Sequence, residues 1–251
     1  MDLGLAGKCV VVTGGSKGIG RAAALAFADE GANVAICARG AAALEATAKE
    51  LEARGVKAFA RSADVSQAAA LDAFLDAAHQ ALGRVDVLVN NTSGFGTSDD
   101  EKGWKTSFDV DVMASVRAVW KVVPWMSAQG GGAIVHISST SALEAGSPPA
   151  YAAAKAALIS HSKTLAVALA PKKIRVNVIA PGSIEFPGGV WETIKKANKP
   201  FYDSIQASIP WGRLGTAEEV ASAIVFAASP RASWVTGVCL SVDGGQHKGN
   251  L

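Results

Sequence analysis

Short apolar runs alternate along the chain with longer segments whose apolar residues recur at helical spacing. The runs fall at residues 9–14, 33–38, 57–64, 85–91, 133–139, 174–181 and 237–245. They are rich in valine and isoleucine, which is typical of strands buried on both faces of a parallel sheet. The helical segments between them include 19–30, 41–54, 67–82 and 151–169. This alternation predicts an α/β fold, with a doubly wound seven-stranded parallel sheet and helices on both faces, as one domain over residues 1–251.

One segment, 183–210, interrupts this alternation. It follows a predicted strand and contains short helical stretches of its own. Ligands of open α/β sheets bind beyond the carboxyl ends of the strands, which is where this segment begins. We therefore predict a substrate loop or lid at about 183–210.

Composition and charge limit the classes of partner. Apolar residues make up 49% of the chain, charged residues 18%, and the net charge is +2. Because the basic residues are scattered, we expect no nucleic-acid partner. No apolar run reaches the length of a membrane span and no signal-peptide pattern is present, so we expect no membrane partner and a cytoplasmic location. The three cysteines, Cys9, Cys37 and Cys239, lack metal-ligand spacing, which predicts reduced thiols and no metal site.

A glycine-rich turn, TGGSKGIG, joins the first predicted strand to the first helix. Gly14, Gly18 and Gly20 would let the backbone approach a phosphate closely. The helix that follows would offer free N–H groups and the positive end of its dipole to that phosphate. The turn therefore indicates a dinucleotide site.

The end of the second strand bears on which dinucleotide binds. NAD-binding sheets carry an acidic residue there for the ribose hydroxyl, whereas an arginine suits a 2′-phosphate. Here Ala38 takes the position of the acid, Arg39 follows it, and Lys17 adds a cation inside the turn. These residues favour NADP(H) over NAD(H); the alternative is that Arg39 points into solvent.

A tyrosine and a lysine lie near the start of the helix that is predicted to begin close to Pro149. Tyr151 and Lys155 are four residues apart, so they share one helix face. A lysine cation beside a phenol favours the phenolate, which suits the tyrosine to general acid/base work near neutral pH. The sequence ISS at the end of the preceding strand offers a hydroxyl donor for a substrate oxygen.

Together these motifs resemble those of the short-chain dehydrogenase/reductase family, in its oxoacyl-reductase-like branch. The resemblance runs nearly end to end and covers TGGSKGIG (13–20), ADV (63–65), NN (90–91), Tyr151 with Lys155, APG (180–182), IPWGRLGTAEEVASAIVFAAS (209–229) and VDGG (242–245). It implies a Rossmann-type fold, a nicotinamide cofactor, hydride transfer between a carbonyl and an alcohol, and commonly a homotetramer.

The resemblance also assigns roles. Tyr151 would exchange a proton with the substrate oxygen, Lys155 would favour the phenolate and bind the nicotinamide ribose, and Ser139 would hydrogen-bond the substrate oxygen. Asp111 would complete this catalytic set. The implied cofactor contacts are Gly14, Ser16, Lys17, Gly18, Ile19, Gly20, Arg39, Asp64, Val65, Asn91, Tyr151, Lys155, Pro181, Gly182 and Ile184.

The catalytic serine has two candidates. Counting 13 residues back from Tyr151, the usual family separation, gives Ser138. Aligning the end of the strand gives Ser139 and leaves the loop 140–150 one residue short. Loops accept deletions more readily than strands, so we favour Ser139 and keep Ser138 as the alternative.

Asp111 stands where the family carries an asparagine. Pro124 and Met126 lie 13 and 15 residues after it, as they do after the family's asparagine. In the family, this asparagine holds a relay water largely through its main-chain carbonyl. We expect the relay to survive in this chain, so that Asp111→Asn changes the rate or its pH profile only modestly. The carboxylate could also pair with Lys155, which would favour the ammonium but oppose the phenolate.

Other departures bear on activity and substrate. Thr92 and Ser93 replace small apolar residues, and Phe186 replaces a frequent threonine. Together with Asp111, they motivate a rival hypothesis, a nucleotide-binding pseudoenzyme or scaffold without turnover. A third hypothesis, a methyl-donor enzyme, would leave Tyr151 and Lys155 unexplained. The candidate pocket residues are Phe95, Glu144, Phe186, Trp191, Tyr202 and Trp211.

The aromatic members of this set suit a bulky apolar or aromatic ketone, although they could equally pack in the core or at a subunit interface. An acyl-thioester substrate is a further possibility from the resemblance. Lys195, Lys196 and Lys199 could then meet a phosphorylated carrier, or simply form a solvated helix face.

Overall fold

A parallel sheet lies at the centre of the protein, whose computed structural model describes residues 2–249. The strands are β1 (Cys9–Thr13), β2 (Asn33–Ala38), β3 (Ala58–Ser62), β4 (Val87–Asn90), β5 (Gly132–Ile137), β6 (Ile174–Pro181), β7 (Ile184–Glu185), β8 (Gly215–Thr216) and β9 (Cys239–Val242). Seven of them form the sheet in the order β3-β2-β1-β4-β5-β6-β9, and every neighbouring pair is parallel. The predicted α/β fold with a seven-stranded parallel sheet is thus confirmed.

Helices cover both faces of this sheet. They are α1 (Gly18–Asp29), α2 (Ala41–Glu52), α3 (Ala68–Leu82), α4 (Glu101–Ser107), α5 (Ala114–Ala128), α6 (Pro149–Leu169), α7 (Val190–Ala197), α8 (Lys199–Ser208) and α9 (Ala217–Ala228). Between α4 and α5 the chain forms a π-helical segment, Phe108–Met113. Within residues 2–249, none of these helices combines the length and apolarity that crossing a bilayer would need.

The alternation of side chains along β1 divides the core into two layers. Val10 and Val12 pack into the layer that contains α1 and α9, whereas Val11 packs into the layer that contains α3 and α5. All three valines are fully buried. A strand buried on both faces is apolar at nearly every position, which is why a continuous apolar run in the sequence located β1 correctly.

The chain changes direction across the sheet between β1 and β4. Thr13 and Asn90 are paired at the carboxyl ends of these two strands. From β1 the chain continues to β2 on one side, and it returns to β4 on the other. This is the switch point at which doubly wound sheets bind their ligands.

The segment predicted as a lid folds onto itself. β7 and β8 pair as a two-stranded parallel ribbon, with α7 and α8 between them in the chain. Tyr202, Ile209 and Leu214 form a small buried cluster, with Trp191 and Ile194 packed against it. The ribbon was not predicted, because strands of two residues are too short to show an alternating pattern.

Candidate active site

The glycine-rich turn lies at the end of β1 and is hydrogen-bonded by Asn91, the residue that follows β4. Its side-chain amide donates to the carbonyl oxygens of Thr13 (3.1 Å) and Gly14 (3.2 Å), and its backbone N–H donates to Thr13 Oγ1. Gly14 and Gly18 have positive φ angles of 73° and 53°. A Cβ on Gly20 would lie 2.3 Å from both the Asn91 amide and the Gly14 carbonyl oxygen. The turn therefore has no room for side chains at these positions.

The N-terminus of α1 has no capping side chain. Lys17 precedes the helix, its side chain makes no capping hydrogen bond, and the first turn contains no acidic residue. The N–H groups at the start of a helix lack partners within the helix. Those at Gly18, Ile19 and Gly20 are thus suited to bind the oxygens of a phosphate. The neighbouring Ser16 accepts a long hydrogen bond from Thr47 Oγ1 at its carbonyl oxygen.

A cavity of about 610 Å³ opens beside the ends of β2 and β3. Arg39 and Asp64 both line it. Asp64 Oδ1 accepts hydrogen bonds from the backbone N–H and the hydroxyl of Ser66, and Val65 is buried behind it. Lys102 and Thr106 of α4 also line this cavity. Sequence reasoning missed them, since nothing in their local pattern indicates that α4 folds over this end of the sheet.

Tyr151 and Lys155 lie one turn apart near the start of α6. Lys155 Nζ is 5.8 Å from the centre of the Tyr151 ring, and the lysine side chain is only 2% exposed. Its ammonium donates to the carbonyl oxygen of Ile137, at the end of β5, over 3.0 Å. The lysine is thus fixed between the helix and the sheet.

The carboxylate of Asp111 contacts the same ammonium. Its Oδ1 lies 2.8 Å from Lys155 Nζ, and the Asp111 side chain is fully buried. Its Oδ2 accepts a hydrogen bond from the backbone N–H of Gly94 over 2.8 Å. Burial is the largest single influence and acts to lower the pKa of Lys155, but the interactions with Asp111 and with the charge of Tyr151 together outweigh it, and the pKa lies above its ordinary value. The lysine is therefore a cation in this site.

The main-chain carbonyl of Asp111 was expected to hold a relay water. It accepts a hydrogen bond from Ser115 Oγ at 2.8 Å, so one of its two lone pairs is used within the protein. The residue lies in the π-helical segment, a distortion that is frequent at functional sites. The alternative contact considered from the sequence, a pair between the carboxylate and Lys155, is present.

The two candidate serines differ in how their hydroxyls are used. Ser138 Oγ donates its proton to the carbonyl oxygen of Lys155 over 2.8 Å, in a buried position. Ser139 Oγ instead accepts a hydrogen bond from the Ser141 N–H. Since an accepting hydroxyl keeps its own proton for another partner, Ser139 retains a donor and Ser138 does not.

The aromatic side chains predicted to line a pocket are not brought together. Phe95 stacks on Tyr151, with ring centres 5.6 Å apart and planes at 11°. The ring of Phe186 lies over Gly18, because a Cβ on that glycine would be 2.5 Å from it. Tyr202 donates its hydroxyl to Glu185 and packs edge-on against Trp191 inside the lid.

The remaining predicted pocket residues, Trp211 and Glu144, are exposed. The lid lysines are each paired with a carboxylate: Lys195 with Glu185, Lys196 with Glu192, and Lys199 with Asp203.

The loop after β6 lies at the same edge of the sheet. Pro181 ends the strand, and the Gly182 N–H donates to the carbonyl oxygen of Val242 over 3.0 Å. A Cβ on Gly182 would lie 2.7 Å from that of Asp243, so this position also excludes a side chain. Ile184 is buried in β7, just beyond it.

A Rossmann-type sheet with a glycine-rich turn at its switch point, beside a tyrosine–lysine pair, defines the class of nicotinamide-dependent oxidoreductases. The family model described as enoyl-(acyl carrier protein) reductase matches residues 14–247. Isoepoxydon dehydrogenase of Penicillium expansum is 36% identical over 254 residues, which span 99% of this chain and 98% of that protein. The 7alpha-hydroxysteroid dehydrogenase of Escherichia coli K12 is 34% identical over 97% of this chain and 96% of its own.

A solved structure agrees with these relatives. L-Sorbose reductase from Gluconobacter frateurii, complexed with NADPH and L-sorbose, matches with a TM-score of 0.91 at 36% identity, over 99% of this chain and 100% of that chain. The chain belongs to the short-chain dehydrogenase/reductase family of NAD(P)-dependent oxidoreductases.

Proposed function

We propose that this protein is an NADP(H)-dependent oxidoreductase that transfers a hydride between nicotinamide and a ketone or secondary alcohol, with Tyr151 as general acid/base. The observation that carries the proposal is the buried Lys155 cation beside the Tyr151 ring. A fixed cation next to a phenol prepares it for proton exchange near neutral pH. The retained pair also argues against a pseudoenzyme.

The residues of the switch point fit a dinucleotide. Gly14, Gly18 and Gly20 keep side chains out of the turn, and α1 presents uncapped N–H groups there. Gly18, Ile19 and Gly20 would hold the diphosphate, Asp64 and Val65 the adenine, and Asn91 would keep the turn in shape. Pro181, Gly182 and Ile184 would border the nicotinamide. When bound, the nicotinamide would supply or accept the hydride.

The preference for NADP(H) rests on this chain's own cations. Arg39 and Lys17 are both exposed at the carboxyl edge of the sheet, and Ala38 leaves no carboxylate to repel a 2′-phosphate. The relatives differ: the sorbose reductase structure holds NADPH, whereas a structure of 7 alpha-hydroxysteroid dehydrogenase holds NADH. A guanidinium bound to a phosphate contributes a strong, charge-assisted interaction, so we expect NADPH to be favoured about tenfold or more over NADH.

In the proposed reaction the substrate oxygen lies between two hydroxyls. Tyr151 would give its proton to a carbonyl oxygen, or take one from an alcohol. Ser139 would donate a hydrogen bond to that oxygen, since Ser138 already gives its proton to the Lys155 carbonyl. Lys155 would bind the ribose and favour the phenolate.

The substrate class follows from Phe95. Its ring is 55% exposed and stacked on Tyr151, so a flat apolar face borders the reacting hydroxyl. This favours a bulky apolar or aromatic ketone. An acyl thioester on a phosphorylated carrier is less supported, because the lid lysines are already paired with carboxylates.

We further propose a homotetramer. Trp120 on α5 and Val167 on α6 are 66% and 71% exposed. Trp234 and Leu240 beside the edge strand β9 are 98% and 43% exposed. Exposed apolar side chains of this kind are what the subunit contacts of a tetramer would cover. Light scattering should give four times the chain mass, and a monomer would contradict this proposal.

The function is tested by following NADPH and NADH oxidation against a panel of ketones, with the wild type and Tyr151→Phe. We expect turnover with NADPH and a loss of about 10²- to 10⁴-fold in kcat for Tyr151→Phe. Tight NADPH binding with no turnover on any ketone would instead support the pseudoenzyme. A preference for NADH would refute the argument from Arg39 and Lys17.

A further inference from the structure

The buried pair of Asp111 and Lys155 is isolated from solvent. Both side chains are at most 2% exposed, and Oδ1 lies 2.8 Å from Nζ. This contact joins a carboxylate and an ammonium of opposite charge within the core. The other carboxylate oxygen accepts from Gly94 N–H, and the ammonium donates to Ile137 O. Each charged group thus has a fixed position.

Asp111 and Lys155 are the main source of charge beside Tyr151. Within residues 2–249, the groups whose charge acts on Lys155 are Asp111 and Tyr151. His136 of β5 also lies near the lysine, and burial lowers the pKa of that imidazole to about 3, so it is neutral. Burial likewise lowers the pKa of His161 on α6. The Tyr151 phenol therefore faces a lysine whose charge is partly offset by a carboxylate.

We infer that Asp111 is a positioning residue whose carboxylate offsets part of the charge of Lys155, keeps Tyr151 protonated to higher pH than a neutral residue would, and thereby tunes the site toward carbonyl reduction. The inference rests on the proposed function for its reaction. In reduction, the carbonyl carbon receives the hydride and the oxygen receives the proton of Tyr151, leaving a secondary alcohol and a phenolate that regains its proton from solvent. Oxidation needs that phenolate at the outset.

The size of the effect follows from the distances. Nζ is 2.8 Å from Asp111 Oδ1 and 5.8 Å from the Tyr151 ring centre. The carboxylate is therefore within about 9 Å of the ring, a range at which a unit charge moves an ionisation by roughly one pH unit. Neutralising Asp111 should increase the ionisation constant of the phenol about tenfold.

The two tyrosines of the chain allow a direct test without substrate. Tyr151 and Tyr202 are the full set, so Tyr202→Phe leaves Tyr151 as the only phenol that titrates. We propose ultraviolet titration of tyrosinate in this background. Adding Asp111→Asn should move the ionisation of Tyr151 down by about one pH unit. Asp109→Asn, which removes an equal charge from an exposed pair with Lys105 in the same segment, should leave it in place.

A second variant guards against failure of Asp111→Asn to fold. The double variant Asp111→Asn/Lys155→Met removes both charges and leaves no unpaired ion in the core. Because the two charges of the pair act on Tyr151 in opposite directions and the lysine is the nearer, removing both should raise the ionisation of Tyr151 by less than about one pH unit. A rise of more than one unit would show that Lys155 acts with its full charge and would overturn the inference, as would an unmoved titration in folded Asp111→Asn.

The pH dependence of turnover gives an independent readout. In alcohol oxidation with NADP⁺, the acidic inflection of kcat/KM should lie about one pH unit lower in Asp111→Asn. Asp111→Glu should keep the wild-type inflection even if its rate falls. A uniform loss of rate without any movement would indicate a merely structural role. If the wild type shows no turnover while the titration moves as expected, the proposed function fails and the electrostatic inference stands.

Discussion

Asn91 links the end of β4 to the glycine-rich turn, so its removal should affect stability and cofactor binding together. Its side chain makes two hydrogen bonds, to the carbonyl oxygens of Thr13 and Gly14. Each such bond contributes about 1 kcal/mol net, and part of this is recovered because the half-buried site admits water. We therefore expect Asn91→Ala to lower the free energy of unfolding by about 1–2 kcal/mol.

The same change should loosen the turn. The Asn91 amide lies where it keeps Gly14 and Gly20 at a fixed separation, and the uncapped start of α1 follows directly. A turn that samples other conformations must be ordered when the dinucleotide binds, which lowers the apparent affinity. We expect the Kd for NADPH to rise about tenfold, equivalent to ~1.4 kcal/mol.

The assay needs both readouts and a matched control. Urea unfolding gives the stability, and calorimetric titration gives the Kd for NADPH. Asn33→Ala is the control, because the Asn33 side chain also forms a hydrogen bond with the backbone, here accepting from Lys57 N–H at 2.9 Å, but at the amino end of β2. Asn33→Ala should lose stability without losing affinity. If Asn91→Ala binds NADPH as tightly as this control does, Asn91 does not shape the turn and the reasoning is wrong.

Three further predictions concern other parts of the molecule. Gly20→Ala should weaken NADPH binding by calorimetry at least tenfold and cost about 1–3 kcal/mol in urea unfolding, because its Cβ would lie 2.3 Å from the Gly14 carbonyl oxygen; unchanged binding would contradict this. Lys155→Met should destabilise the fold by about 3–5 kcal/mol, and adding Asp111→Asn should recover most of that loss; additive costs would show the pair is not coupled. A hydrogen bond to Arg213, with the Thr216 N–H, lowers the pKa of Glu219 to about 2. The stability that this carboxylate contributes is present above its unfolded pKa and is lost as the pH falls toward 2. The free energy of unfolding of Glu219→Gln should therefore fall less on acidification than that of the wild type, by about 0.5–1 kcal/mol because the pair is exposed. Identical acid profiles of the two proteins would refute this prediction.

The sheet could be predicted because its signal is local. β1 is buried on both faces and is apolar at four of its five positions, Thr13 being the exception, and the run of valines shows this directly. The π-helical segment that carries Asp111 could not be predicted, because its apolar residues keep nearly the spacing of an ordinary helix. The same holds for α4, whose sequence EKGWKTS has no apolar stripe and whose position is fixed by packing.

In the candidate site, too, the residues set by local spacing could be predicted and those set by tertiary contacts could not. Tyr151 and Lys155 were found because one helical turn brings them together whatever the rest of the fold does. The roles of Ser138 and Ser139 depend on which hydroxyl meets the helix carbonyl, a tertiary contact. Likewise, no spacing indicates that the Asp111 carboxylate reaches Gly94, which is 17 residues away.

That contact with Gly94 makes Asp111 the link between Lys155 and the loop that carries Phe95. One carboxylate oxygen meets the ammonium and the other accepts the Gly94 N–H, so both neighbours require an acceptor. An asparagine has a single acceptor oxygen. If that oxygen kept the bond to Gly94, its NH₂ group would face the Lys155 cation; if it turned to the lysine, the Gly94 N–H would lose its partner. In this chain, then, the acid at position 111 matches the two donors around it, and replacing it disturbs the charge beside Tyr151 and the support of the Phe95 ring at the same time.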